Sequence, residues 1–411
     1  MSASPSGRRP ASRGTPSGGV FGLVPRGSWL APWLSLMGLA VVALVTLGLM
    51  QGRFPSGGVS GGSGSGQGPV AGRTPTPSNV VLPDPAAEGL PGSIVYVKAG
   101  NIWIQTGKTV TQLTKQGTDS MPSWSPDGQW IYFIETRQDR STFSVRGDRP
   151  TRYTLTYPIL SRIHPDGSGR QAVKSGLFRS AAGTWFSWMR EPVMSPDGRT
   201  LALLSDAPDP TSSDVVVQFF DMKTKTFRKP SLPENSPLGH QDPAWSPDGN
   251  QLLYVKNGRD GTRGAPQILR YDIRSKRVAA LTGPGYTSPA WSPDGRFVVA
   301  TKTSALDTDV VILDARNGNE LLRLTSDGHS WSPIWSPRGD GIAFLHIGGA
   351  VVDLVYLPLT GTAPQWTPGK LVNLTDLGGL DPASHPSWYL PPDQRQSASP
   401  SPAAGSPSPS Q

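Results

Sequence analysis

The 411-residue chain contains no cysteine. That absence excludes disulfide bonds, thiol catalysis, iron–sulfur ligation and lipoprotein anchoring at a Cys. An exported chain of this kind must hold together by core packing, for which a ring of about 300 residues is large enough. Histidine is also scarce: His164, His240, His329, His346 and His385 are scattered without metal-ligand spacing. No P-loop, zinc-protease helix or kinase signature is present. GVSGG at 58–62 fits the nucleophile-elbow string. That elbow needs a strand before it and a helix after it, and a Gly/Ser linker offers neither. The chain therefore reads as non-catalytic, with no catalytic, cofactor or metal residues to name.

Positive charge is in excess but is not spread along the chain. The formal charge is +8, and five Arg with no acid lie within 1–53, leaving +3 for the rest. A pI near 9.7 then gives no reason to expect nucleic acid. Residues 1–28 are rich in Ser, Gly, Pro and Arg and read as a disordered basic cytoplasmic tail. Residues 29–50, a charge-free apolar stretch, are long enough to span a bilayer core as a helix. Trp29 and Trp33 stand at the entry end and Pro32 in the first turn. The preceding Arg residues outnumber Arg53 after it, so the tail is expected inside and the rest outside. A cleaved signal peptide is the alternative, but VTLGLMQG offers no small-x-small site. Residues 51–92 form a Gly/Ser/Pro linker, and 391–411 a disordered Ser/Pro tail. The expected address is thus the cell membrane, single-pass, with the folded part extracytoplasmic.

Between them a pattern recurs: PSWSPDG at Pro122, PVMSPDG at Pro192, PAWSPDG at Pro243 and Pro289, PIWSPRG at Pro333, and a worn PSWYLPPD at Pro386. The intervals are 70, 51, 46, 44 and 53 residues, the length of a four-stranded propeller blade with one insertion. Five copies precede apolar runs (WIYFI, LALLS, LLYVK, FVVAT, IAFLH), and a second hairpin follows in each unit. Ser-Pro-Asp-Gly is turn chemistry: Pro presets φ, Asp caps its own backbone, and Gly takes positive φ. The repeat positions are Trp124 and Asp127, Met194 and Asp197, Trp245 and Asp248, Trp291 and Asp294, then Trp335 and Trp388. The large flat Trp side chain suits a layer wedged between neighbouring sheets.

This pattern resembles the TolB-like (Pro-Asp, WD-like) β-propeller repeat over roughly Ser93 to Tyr389. The resemblance implies an all-β, six-bladed ring and a protein- or peptide-binding platform at the cell envelope, not a catalyst. The strand count agrees with six. SIVYVKAGNIWIQTGKTVTQLT at 93–114 is a unit missing its opening strand, and HPSWY is an opening strand missing its unit. Together they make one blade, and one C-terminal strand closes the ring over 93–390.

Lining up the units singles out the residue before each motif Pro: Met121, Glu191, Asp242, Ser288, Ser332 and His385. They should recur at one height near the central channel. Their preceding neighbours include Arg190 and Trp331. Glu191 and Asp242, from adjacent blades, would meet a cation or a basic peptide, or pair with Arg190 and seal the channel. The expected partner-binding set is Glu191, Asp242, His385, Ser288, Ser332, Trp331 and Arg190. Between Glu135 and Arg190 there are ten Lys or Arg against four acids, and the extra length sits at 136–155. That stretch reads as a solvated loop or as a docking arm for an anionic surface. Two other readings stay open: a glycan-acting enzyme or lectin with channel carboxylates about 5–10 Å apart, and a structural spacer.

Overall fold

The computed structural model describes residues 89–143, 151–180, 183–207, 214–233, 239–257, 266–304, 306–375 and 377–395. The tail, the apolar stretch at 29–50 expected to span a membrane, and most of the linker lie outside them, as does 396–411. Among the described residues no helix is long and apolar enough to cross a membrane.

These residues form six sheets arranged as blades around one axis. Blade 1 contains β1 (Ser93–Lys98), β2 (Asn101–Thr106) and β3 (Thr109–Gln112), with the C-terminal β27 (Ser387–Tyr389) as its innermost strand. Blade 2 contains β4 (Asp119–Trp124), β5 (Ile131–Phe143), β6 (Thr151–Ile163) and β7 (Gln171–Ser175). A hairpin of β8 (Leu177–Ser180) and β9 (Gly183–Phe186) joins the edge of β5. Blade 3 contains β10 (Arg190–Met194), β11 (Thr200–Ser205), β12 (Val216–Asp221) and β13 (Phe227–Arg228). Blade 4 runs β14 (His240–Trp245), β15 (Gln251–Lys256), β16 (Gln267–Asp272) and β17 (Val278–Pro284). Blade 5 runs β18 (Tyr286–Trp291), β19 (Phe297–Thr303), β20 (Thr308–Asp314) and β21 (Glu320–Arg323). Blade 6 contains β22 (Ser330–Trp335), β23 (Gly341–Ile347), β24 (Val352–Thr362), β25 (Gln365–Pro368) and β26 (Val372–Asn373). All pairings within the sheets are antiparallel.

The continuous apolar runs after each motif are explained by burial on both faces, since each blade is packed between two others. Alternation sends odd and even residues of one strand to different neighbours. In β1, Ile94 and Tyr96 pack with Ala343 and Leu345 of blade 6, while Val95 and Val97 pack with Trp124 and Phe133 of blade 2. The same division holds around the ring. The core is therefore a set of apolar layers, one in each gap between blades.

The motif turns fold as their chemistry requires. Ser246 Oγ donates to Asp248 Oδ1 at 2.6 Å and accepts the Gln251 N–H at 2.9 Å, while Asp248 Oδ1 accepts the Asn250 N–H at 3.1 Å. Ser125–Asp127, Ser195–Asp197 and Ser292–Asp294 repeat the bond at 2.5–2.6 Å. Gly249 closes the turn at φ +71°, a conformation that costs Gly nothing.

Blade 2 departs from the sequence reading in one respect. Of the extra length expected at 136–155, the described residues 136–143 and 151–155 belong to the long β5–β6 pair, in register from Ile131↔Ile163 to Phe143↔Thr151. The β8–β9 hairpin was not expected. Its strands are four residues each, too short to show alternation against their surroundings.

Candidate functional site: the axial cavity

A proline inside an innermost strand cannot donate to the ladder. The five full copies solve this with a β-bulge. The register of β4, β10, β14, β18 and β22 shifts across the motif Pro, between Ser120 and Ser123 in blade 2 and at the equivalent places in the others. The residue before the Pro takes the left-handed conformation: Met121 (φ 55°), Glu191 (49°), Asp242 (52°), Ser288 (48°) and Ser332 (49°). A non-Gly residue in that region costs of order 1–3 kcal/mol, and here the cost recurs in five blades.

The backbone N–H groups freed by the bulges are satisfied from the previous blade. Glu191 N–H donates to Met121 Sδ at 3.3 Å, Asp242 N–H to Glu191 Oε2 at 2.5 Å, and Ser288 N–H to Asp242 Oδ2 at 2.7 Å. The series ends at Ser332, whose N–H goes to Thr301 Oγ1 at 3.1 Å. Side chains at this level therefore hand from blade to blade around half the ring.

All six aligned residues line one cavity of about 940 Å³ on the axis. So do the motif prolines of every blade, and Trp124, Trp245, Trp291, Trp335 and Trp388. The cavity runs from the six-residue level to the motif turns, where Arg338 and Arg395 border it. At its inner end Asp242 Oδ1 and His385 Nδ1 lie 3.9 Å apart across the ring, from blades 4 and 1.

Glu191 is buried, and Arg190, half exposed, approaches its Oε1 only to 3.7 Å. Burial, and then the neighbouring Asp242, push the Glu191 carboxyl above the usual carboxylate range. Glu191, Asp242 and His385 each offer a ligand atom within 4.8 Å of the others, so this set among the described residues has the donors for a cation. Two carboxylates with one distant counter-charge favour a proton, an ammonium, a guanidinium or a metal ion at this end.

Of the expected binding residues, Glu191, Asp242, His385, Ser288 and Ser332 meet in the cavity. Arg190 and Trp331 are not among the lining residues. Arg190 points out to solvent beside Glu191, and Trp331 donates its indole N–H to the Pro382 carbonyl at 3.0 Å. Arg338 and Arg395 were missed. The signal for Arg338 was its place in the motif, Arg where the other full copies have Asp.

Fold and cavity together define the class: a six-bladed, single-strand-closed β-propeller with an axial pocket walled by Pro and Trp and carrying Glu191, Asp242 and His385 at one level. Residues 173–368 match the model of the TolB beta propeller domain family, PD40. Among solved structures, TolB of Acinetobacter baumannii is similar with TM-score 0.51 at 20% identity, over 72% of this chain and 66% of that one. A TolB candidate from Agrobacterium tumefaciens gives 0.50 at 18% identity, over 74% and 95%. An uncharacterized protein of Agrobacterium fabrum is 29% identical over 151 residues, 36% of this chain. The chain spans 43% of the length of that curated relative.

Proposed function

We propose that this propeller is a non-catalytic binding platform at the cell envelope, whose axial cavity receives a cationic group of a protein or peptide partner. The observation that carries the reading is the buried Glu191 carboxylate beside Asp242 in the lining of the axial cavity. A ligand ammonium or guanidinium there replaces the proton that burial otherwise favours. The TolB-like fold is consistent with a binding role. In this reading residues 29–50 tether the propeller to the membrane with its N-terminal tail inside, and the stretch 136–155 remains a secondary contact for an anionic surface.

The glycan-acting alternative asks for two carboxylates facing each other across a gap of about 5–10 Å. Here donor atoms of Glu191 and Asp242 lie within 4.8 Å, and one Glu191 oxygen is occupied by the Asp242 backbone. The geometry favours holding a cation over flanking a sugar.

The test uses the full chain, solubilised in mild detergent and immobilised, to capture partners from membranes of the source cells. A partner retained by the parent, lost with Asp242→Asn and regained with Asp242→Glu supports the reading, provided all three melt alike. Equal capture by all three would rule the cavity out. Protease added to intact cells should remove the propeller and leave a small Arg-rich stub with the membrane. Propeller found free in the medium would refute the tether.

A further inference from the structure

Four of the five full motif copies carry Asp at the third turn position, and the copy in blade 6 reads Ser-Pro-Arg-Gly at 336–339. In the four, the Asp is consumed by the turn, accepting both the Ser hydroxyl and a backbone N–H. In blade 6 that acceptor has moved two residues on. Ser336 Oγ donates to Asp340 Oδ1 at 2.5 Å, and the Tyr356 hydroxyl donates to the Asp340 carbonyl at 3.1 Å. The turn is held without a carboxylate at 338, and the position is released for another use.

What stands there is a cation with nothing to hold. Arg338 is exposed at the cavity lip, and its guanidinium makes no hydrogen bond or ion pair among the described residues. Other turn arginines are clamped: Arg296 to Asp294 at 2.7 Å and Arg316 to Asp314 at 2.9 Å. Arg296 thereby occupies Asp294, the acid that shares this lip. Arg395 borders the lip from the next blade, with Nε fixed on the Leu390 carbonyl at 2.7 Å and its guanidinium 5.8 Å from the centre of the Tyr389 ring; its terminal nitrogens make no hydrogen bond or ion pair among the described residues. Charge in the cavity is thus divided by height and by side. Acid lies at the level of the six aligned residues on blades 3 and 4, and Arg338 and Arg395 lie at the level of the motif turns on blades 6 and 1, across the ring.

We propose that the cavity recognises an extended peptide stretch carrying a cationic side chain and a carboxylate about four residues apart. The cation sits on Glu191 and Asp242, and the carboxylate sits on Arg338 with Arg395. This rests on the reading of the cavity as the partner site and adds the second charge and the spacing. From the Ser332 level to Ser336 the strand advances four residues, about 13 Å at a rise of ~3.3 Å each. An extended ligand covers that length in about four residues of its own. The planar guanidinium fork matches a carboxylate in two parallel bonds, which a Lys there would not reproduce.

The test is calorimetric titration of the full-length protein with three end-blocked pentapeptides: Lys-Ala-Ala-Ala-Glu, Lys-Ala-Ala-Ala-Gln and Gln-Ala-Ala-Ala-Glu. The first should bind roughly tenfold tighter than the second, the worth of one charge-assisted pair. Arg338→Ala should erase that difference while leaving the Gln-ended peptide unchanged. Because the Arg338 side chain makes no hydrogen bond or ion pair among the described residues, this variant should melt like the parent. Equal affinity for the Glu- and Gln-ended peptides, or an equal loss for both in Arg338→Ala, overturns the two-charge proposal. If the Gln-ended peptide still binds and depends on Asp242, the cation pocket survives that failure. No binding by any of the three at millimolar concentration defeats both.

Discussion

The Trp245 indole of blade 4 donates its N–H to the Val193 carbonyl of blade 3 at 3.2 Å. Trp291 repeats the bond one blade on, to the Ala244 carbonyl at 3.2 Å. Trp335 and Trp124, at equivalent places, bury the same N–H without a partner. The motif Trp is thus a rivet between neighbouring blades in two gaps and a plain filler in two others.

Replacing Trp245 with Phe removes a bonded donor, whereas replacing Trp335 with Phe removes an unsatisfied one. Both lose similar volume. Urea unfolding should find Trp245→Phe less stable than Trp335→Phe by about 1 kcal/mol. Equal losses would show that the inter-blade bond adds nothing beyond packing.

The displaced carboxylate in blade 6 makes a similar pairwise test. Asp340→Asn should destabilise by about 1 kcal/mol, as Asp248→Asn should in blade 4, while Arg338→Ala should leave the urea midpoint unmoved. A loss on Arg338→Ala as large as that on Asp340→Asn would mean that the arginine holds the turn.

Glu191 gives a signed pH dependence. Its carboxyl is raised by burial and by Asp242, with His385 and Arg190 as the opposing neighbours. Over the window from the ordinary carboxylate value up to its folded value, the native state binds more protons than the unfolded chain. This group's contribution therefore falls as pH rises through that window and returns on acidification. The motif carboxyls run the other way: the Ser246 and Ser195 hydroxyls hold Asp248 and Asp197 low, so their stabilisation is lost as pH falls. The measurement is consequently a difference of melting temperatures between parent and Glu191→Gln. That difference should shift in the parent's favour on going from neutral to mildly acidic pH, and a flat difference would contradict the assignment.

Closure depends on β27, which pairs Ser93↔Tyr389, Ile94↔Trp388 and Val95↔Ser387, and on the buried Leu390 behind it. Ending the chain before His385 should lower the melting temperature by roughly 10 °C or more, since 1 kcal/mol moves a domain of this size by about 2 °C. Ending it after Arg395 should be silent, because the last described contact is the Arg395 bond to Leu390. Equal melting of the two truncations would refute closure by this strand.

The ring and its strand order were legible because each motif copy carries its own turn chemistry and the two terminal fragments complete one blade. The six axial positions were legible as a register, each standing before a Pro. Their left-handed backbone was not: Met121, Glu191 and Ser332 carry no such preference, and the bulge follows from a Pro that no central ladder accommodates. Arg190 and Trp331 were grouped with their neighbours, yet side chains one residue apart in a strand leave on opposite sides. The contact between Asp242 and His385 could not be read at all, because it depends on the diameter of the closed ring. The meaning of Arg338 required seeing that Asp340 had taken over its duty.

The Trp388 indole rests on the Pro91 carbonyl at 2.7 Å, and 297 residues of chain separate them. A protein made from its N-terminus therefore emerges from the ribosome with the inner edge of β1 bare, and the strand that covers it is synthesised last. Five blades and three strands of the remaining one must wait with an open, pairing-competent edge, a setting that invites association with other chains. Such long-range pairing is slow to form, because the entropy of closing the loop is lost before any contact repays it. Yield in cells should accordingly depend on how long that edge is kept from meeting another copy of itself.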